Sequence, residues 1–295
     1  MHIDNFRQYL ASEKRYSLHT VTAYDKDLQQ FFEFLNNNYS TQEITEIEPL
    51  MIRAWIMELI DNDYSGKTVN RKLSALKTFY RYLRNNNLLQ VNPMLKILPP
   101  KTNKTLPEFV SKEQMDLLLD DVAFETGFEG RRNRLIIELF YFTGIRLAEL
   151  VGLANQDVDL KKNQIKVLGK RNKERIIPFG NTLGQSIKEY ISERDMMIGM
   201  NGPADAFFLT EKGVKIYKKL VYRIVNSYLS KVSTLNKKSP HILRHTFATH
   251  MLNNGADLNA IKELLGHANL SATQVYTHNT IDKLKSIYNQ AHPRA

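Results

Sequence analysis

Gly66-Lys67-Thr68-Val69-Asn70-Arg71-Lys72-Leu73-Ser74-Ala75-Leu76-Lys77-Thr78-Phe79-Tyr80-Arg81-Tyr82-Leu83-Arg84 carries two stripes on one helical period. Val69, Leu73, Leu76, Tyr80 and Leu83 fall within about 80° of one another at about 100° per residue, the mark of a helix side that enters a core. Lys67, Arg71, Lys77, Arg81 and Arg84 occupy a separate arc of about 140°, centred about 120° from the first. One side of this helix packs and another faces something anionic. A merely solvated face usually mixes charge signs, whereas residues 64–107 hold nine basic residues and no acid. That imbalance weakens the reading of simple solvation.

Working toward the N-terminus, Ser17-Leu18-His19-Thr20 opens a periodic stretch (Val21, Tyr24, Leu28, Phe31, Phe32, Phe34, Leu35) that stops at Asn36-Asn37-Asn38. A further helix is expected from Pro49 to about Ile60, so residues 1–95 read as a small all-α domain. In the other direction, residues 96–107 carry three prolines and no period, which predicts an extended linker. Residues 108–295 form the second domain. Helical segments dominate it, interrupted by strands at Gln164–Leu168 and Arg175–Phe179 around Gly169-Lys170-Arg171-Asn172-Lys173-Glu174, a β-hairpin with a basic tip. The expected fold class is mainly α with a small β-hairpin or sheet, an α+β domain following an all-α one.

The 295 residues include 41 Lys plus Arg against 31 Asp plus Glu, a formal net charge of +10. Residues 1–63 hold five basic and eleven acidic residues, net −6; residues 64–107 are net +9, and residues 108–295 net +7. The charge is placed on one helix, the linker and the second domain. It calls for a polyanionic partner without separating nucleic acid from a membrane surface. With 42% hydrophobic and 24% charged residues, disordered, collagen-like and coiled-coil chains are excluded. No apolar run approaches the ~20 residues that span a bilayer, and Met1-His2-Ile3-Asp4-Asn5 lacks the features of a secretion signal, so a cytoplasmic location is expected. The absence of Cys excludes disulfides, thiolate zinc sites and Cys nucleophiles.

Three stretches carry candidate chemistry. In Tyr141-Phe142-Thr143-Gly144-Ile145-Arg146-Leu147-Ala148-Glu149, Arg146 follows a Gly that ends one apolar helix and stands at the start of the next. An Arg there opposes the helix macrodipole, which points to an anion shared by both. Ser239-Pro240-His241-Ile242-Leu243-Arg244-His245 places an N-cap Ser, a Pro at the first helical position, and then His241 and Arg244 on one face, a pairing suited to phosphate oxygens. His241, His245 and His250 as metal ligands are the competing reading, but the stretch lacks the Glu of a zinc-protease helix. In Leu264-Leu265-Gly266-His267 through Tyr276-Thr277-His278, Gly266 closes a helix. Ser271 and Gln274 have capping-box spacing for the next, with Tyr276 in its second turn.

Taken together, Thr143-Gly144-Ile145-Arg146, the Gly169-to-Arg175 hairpin, the His241-to-His250 run and Leu265-Gly266-His267 through Tyr276 resemble the motifs of the tyrosine site-specific recombinases. The match extends over the whole second domain. The helical first domain is similar to that family's DNA-clamping domain, and His292-Pro293-Arg294-Ala295 to the end of its Xer branch. The resemblance implies a two-domain C-shaped clamp on double-stranded DNA at a specific recombination site, with Lys67, Arg71, Lys77, Arg81 and Arg84 on the duplex. It implies Tyr276 as nucleophile, forming a 3′-phosphotyrosyl link and freeing a 5′-hydroxyl. Arg146 and Arg244 would hold the non-bridging oxygens, Lys170 would protonate the leaving group, His241 would assist proton transfer and His267 would bond the phosphate.

Neither metal nor ATP is implied, and no cofactor. Lys173 is the rival to Lys170; Arg171 stands where the family commonly has Gly, and Ala148 where Ser is common. The terminal segment Ile281–Tyr288 resembles the helix that docks on a neighbouring protomer, implying a homo- or hetero-tetramer on DNA and a possible DNA translocase partner. Chromosome dimer resolution is the expected role, favoured over a mobile-element integrase by the absence of an added N-terminal arm-binding domain. A non-catalytic DNA-binding protein and a type IB topoisomerase are the remaining alternatives.

Overall fold

Capping serines set where two helices of the N-terminal unit begin. The computed structural model describes residues 2–102, 108–169, 174–198, 205–266 and 278–294, and its contacts divide the chain into Met1–Thr105 and Leu106–Ala295. The first unit holds α1 (His2–Ser12), α2 (Leu18–Tyr39), α3 (Pro49–Asp61) and α4 (Gly66–Asn85), followed by a 3-10 turn at Pro93–Lys96. Ser17 and Ser65 cap α2 and α4, their side chains accepting from the backbone N–H of Thr20 and Thr68. Each satisfies a donor that a helix start leaves free. Helix α2 runs past the three Asn to Tyr39, where Ser40 takes a left-handed φ of 51°.

All five residues of the predicted core stripe on α4 are buried. They pack with an aromatic cluster in which Phe31 meets Trp55 at 4.9 Å and Phe6 meets Phe79 at 5.2 Å. On the basic arc, Lys67, Arg81 and Arg84 are exposed and Lys77 is half-buried. Arg71 is bonded to Asp27, which also takes Lys72 Nζ at 3.0 Å. The 96–107 stretch starts out attached to this unit: Ile97 is buried in its core, and Asn70 Nδ2 donates to the Pro100 carbonyl at 3.1 Å.

The second unit begins with α5 (Lys112–Asp116) and continues through α6 (Gly127–Thr143), α7 (Leu147–Gly152), β1 (Val158–Asp159), β2 (Gln164–Leu168) and β3 (Glu174–Pro178). It then runs through α8 (Asn181–Ile198), α9 (Lys218–Val232), α10 (Pro240–Asn253), α11 (Leu258–Leu265) and α12 (His278–Ala291). Helix α6 is buried on nearly every side over Leu135–Thr143, as its continuous apolar run requires, and α8, α9 and α10 pack against it. The strands form one antiparallel sheet in the order β1-β2-β3, with Ile165 opposite Ile177 and Val167 opposite Arg175. The predicted hairpin is present, with β3 starting one residue earlier than expected; β1, two residues long, is too short to show a period. Among the described residues no helix is long and apolar enough to cross a membrane.

Helix α12 lies on its own unit, burying Leu284, Tyr288 and Ala291 against Phe247, Met251 and Ile261. The chain end fastens it. His292 stacks on Tyr288 with centroids 5.1 Å apart, its Nε2 lies 3.2 Å from the Tyr141 carbonyl, and its Nδ1 accepts from Arg294 N at 3.1 Å. Arg294 then reaches Asp116 at 3.1 Å and Asp120 at 2.5 Å. Burial, outweighing the carbonyl's pull, takes the His292 imidazole down from 6.5 to about 4. The neutral ring fits the geometry, since a proton on Nδ1 would break the bond from Arg294.

The unfolded chain therefore binds a proton that the folded one refuses, and stability is complete above about pH 6.5 and lost as pH falls toward 4. The slope in that window should be about 1.4 kcal/mol per pH unit. His250, buried beside the Tyr141 hydroxyl and also shifted down by burial, adds to it. Urea titrations between pH 7 and 4.5 should show a markedly flatter loss for His292→Gln than for the wild type; equal slopes would exclude this assignment.

Candidate active site

The site starts from how α6 ends. Gly144 closes the helix at φ 59°, and a Cβ there would lie 2.6 Å from Phe247 Cδ1 and 2.7 Å from Leu265 Cδ2. Both the left-handed backbone and the close approach demand glycine. The reversal delivers Arg146 to the N-cap of α7, as the sequence predicts. Glu149 completes the cap, its Oε2 accepting from Arg146 N at 2.8 Å.

Glu149 also collects two guanidinium groups. Its Oε1 takes Arg146 Nη1 at 2.8 Å and Arg175 Nη1 at 2.7 Å, and its Oε2 takes Arg175 Nη2 at 2.8 Å. Arg244, buried in the first turns of α10, donates Nη1 to the Gly144 carbonyl and Nη2 to the Leu265 carbonyl, the latter at 2.6 Å. Three successive carbonyls at the end of α11 thus each hold one arginine: Leu264 O takes Arg175 Nε at 2.9 Å, Leu265 O takes Arg244, and Gly266 O takes Arg146 Nη2 at 2.9 Å. These are the acceptors a helix leaves unpaired at its negative end. Gly266, at φ 64°, lets the chain turn there, and a Cβ would stand 3.0 Å from Arg175 Cδ.

Electrostatically the cluster is unbalanced, with three arginines against one carboxylate. Burial alone would raise the Glu149 carboxyl, but the Arg175 bonds and charge, joined by those of Arg146, overcome it and bring it to about 2. Burial, then repulsion from Arg146 and Arg175, lowers Arg244 to about 9 with only partial relief from Glu149. Arg244 remains cationic at neutral pH but is held in a state that a bound anion would relieve. A partly exposed Arg146 thus lies beside the buried Arg244, two cations whose planar donors suit an oxyanion.

Of the six predicted catalytic residues, the structure brings Arg146 and Arg244 together. It places His241 exposed at the second position of α10, three residues before Arg244. Lys170, His267 and Tyr276, along with the rival Lys173 and the Ser271–Gln274 capping box, lie outside the described residues. The alternative metal set does not assemble: His250 Nδ1 pairs with the Tyr141 hydroxyl at 3.0 Å in the core, and no three metal-ligating side chains meet among the described residues. Two members of the cluster were missed in the sequence. Glu149 had a readable signal, a carboxylate three residues after an N-cap arginine. Arg175 had one too, an arginine two residues before Ile177 on the inward side of a strand.

Residues 108–283 match the Phage integrase family, and residues 3–87 the phage integrase N-terminal SAM-like domain. The chain is 38% identical to the tyrosine recombinase XerC of Chlorobaculum tepidum, over 99% of this chain and 94% of that one. It is 39% identical to the XerC of Thermodesulfovibrio yellowstonii, covering 99% and 96% of the two chains. Among solved structures it superposes on the XerH recombinase bound to its difH substrate with a TM-score of 0.69, at 22% identity over 97% of this chain and 84% of that one. At that identity the last likeness concerns the fold.

Proposed function

The chain belongs to the phage integrase family and is a site-specific recombinase that cleaves and rejoins DNA; on that premise we propose that its reaction runs through Tyr276. The phenol oxygen attacks the scissile phosphorus, the 5′-oxygen leaves, and the phosphodiester energy is kept in a 3′-phosphotyrosyl bond for rejoining. Arg146 and Arg244 hold the non-bridging oxygens. Lys170 delivers a proton to the departing 5′-oxygen, His241 takes up the phenol proton, and His267 bonds the phosphate. The arrangement that carries this reading is the cationic cluster of Arg146, Arg244 and Arg175, short of negative charge and anchored on one helix end.

Lys67, Lys77, Arg81 and Arg84 on α4 supply salt-dependent backbone contacts, with Arg71 shared between Asp27 and the duplex. The working assembly is a tetramer on two recombination sites, in which α12 exchanges its own unit for a neighbour's, and a DNA translocase controls it. We place it in the cytoplasm, resolving chromosome dimers. The test uses a nicked suicide substrate carrying the target site, in EDTA, followed by peptide mapping of the adduct. A 3′ adduct on Tyr276 is expected. No adduct, or one on another residue, would refute the mechanism. Adducts mapped on the host genome should fall at one chromosomal site; adducts confined to a mobile element would overturn the dimer-resolution role.

A further inference from the structure

Arg175 occupies a position where the sheet calls for an apolar side chain. It lies on the inward face of β3, opposite Val167 and two residues from Ile177, both buried, and its side chain is only 4% exposed. A charge in such a place is costly unless every donor is used. Here Nη1 and Nη2 grip Glu149 bidentately while Nε reaches sideways to the Leu264 carbonyl. A lysine, with one compact ammonium, cannot span both partners.

We propose that Arg175 is a positioning residue for strand cleavage: it clamps Glu149 in the orientation that holds Arg146, and fastens the base of the Lys170 hairpin to the end of α11. Each Glu149 oxygen receives one bond from Arg146 and one from Arg175. Without Arg175 the carboxylate loses half of its donors and is free to rotate, and Arg146 goes with it. The same side chain sets the lateral position of β3, whose first residue, Glu174, follows the hairpin tip, against the turn that precedes His267. Gly266 is part of the fit, because a side chain there would displace Arg175. The inference rests on the reading of Arg146 as a phosphate-holding residue.

The experiment compares Arg175→Lys and Arg175→Gln with the wild type in three measurements: melting temperature, affinity for the duplex target, and single-turnover cleavage of the nicked suicide substrate by bound protein. Displacement of a reacting group by about 1 Å costs on the order of 100-fold in rate. R175K is therefore expected to bind the target within about twofold of wild type and cleave about 100-fold more slowly. In a Glu149→Gln background the same substitution should cost distinctly less than it does in the wild type, leaving only the part that runs through the Leu264 carbonyl.

Wild-type cleavage by R175K, full additivity with Glu149→Gln, or binding and cleavage lost in equal proportion with a lowered melting temperature would each overturn the proposal. So would failure of both variants to fold, which makes Arg175 purely structural. Arg146→Ala is the control. If it cleaves normally, the reading of Arg146 fails; if it is inactive while R175K is not, only the role of Arg175 fails.

Discussion

Tyr276→Phe is expected to eliminate covalent adduct on the suicide substrate, a loss of at least about 10⁴-fold, while target binding stays within a few-fold of wild type. In the proposed mechanism the phenol oxygen is the atom that bonds phosphorus, and Phe lacks only that oxygen, so chemistry is removed with the smallest change in side-chain shape. Water reaching the same phosphorus would give hydrolysis, and it would leave no protein on the DNA. Tyr276 stands two residues before α12, which is anchored by Leu284, Tyr288 and the His292 stack. A control that loosens this anchor without touching the phenol, Tyr288→Ala, should reduce adduct formation but not abolish it. An adduct formed by Tyr276→Phe on another residue would sink the assignment.

The second large effect belongs to Arg244. Replacing it with Lys is expected to slow cleavage by about 10³-fold, the scale of losing an oriented donor to a developing oxyanion. The effect on stability should be small, because two opposing changes meet there. The Gly144 and Leu265 carbonyls lose well-aligned donors, whereas the burial and the repulsion from Arg146 and Arg175 that lower Arg244 to about 9 weigh less on a lysine, which gives up its proton more readily. Target DNA should then raise the melting temperature of the wild type more than that of R244K, since Arg244 can meet a phosphate with paired, oriented donors that Lys lacks. Equal shifts on DNA binding, or cleavage within tenfold of wild type, would contradict this account of the site.

Much of this was legible in the sequence because it is local. Periodic stripes mark α2 and α4, Pro49 opens α3, and Gly144 and Gly266 announce the helix ends that the site is built on. The four-motif resemblance named the chemistry. What the sequence hid depends on contacts between distant positions. Nothing near Arg175 in the chain reveals that its partners are Glu149 and Leu264, 26 and 89 residues away. Helix α1 buries Phe6 and Leu10 and packs Ile3 and Tyr9 against the same core, over only 11 residues. His250 looks like a ligand in a string of histidines, and only the fold shows its ring turned to the Tyr141 hydroxyl.

The end of α11 presents backbone, and not side chains, to the three arginines. Substitution at Leu264 or Leu265 leaves the acceptors in place so long as the helix keeps its packing. Adding or deleting one residue would rotate every carbonyl beyond it by about 100° about the helix axis and strip all three arginines at once. Gly266 apart, this turn is therefore expected to tolerate changes of residue type far better than changes of length. A library combining single-residue insertions and substitutions across 258–265 would separate those two tolerances directly.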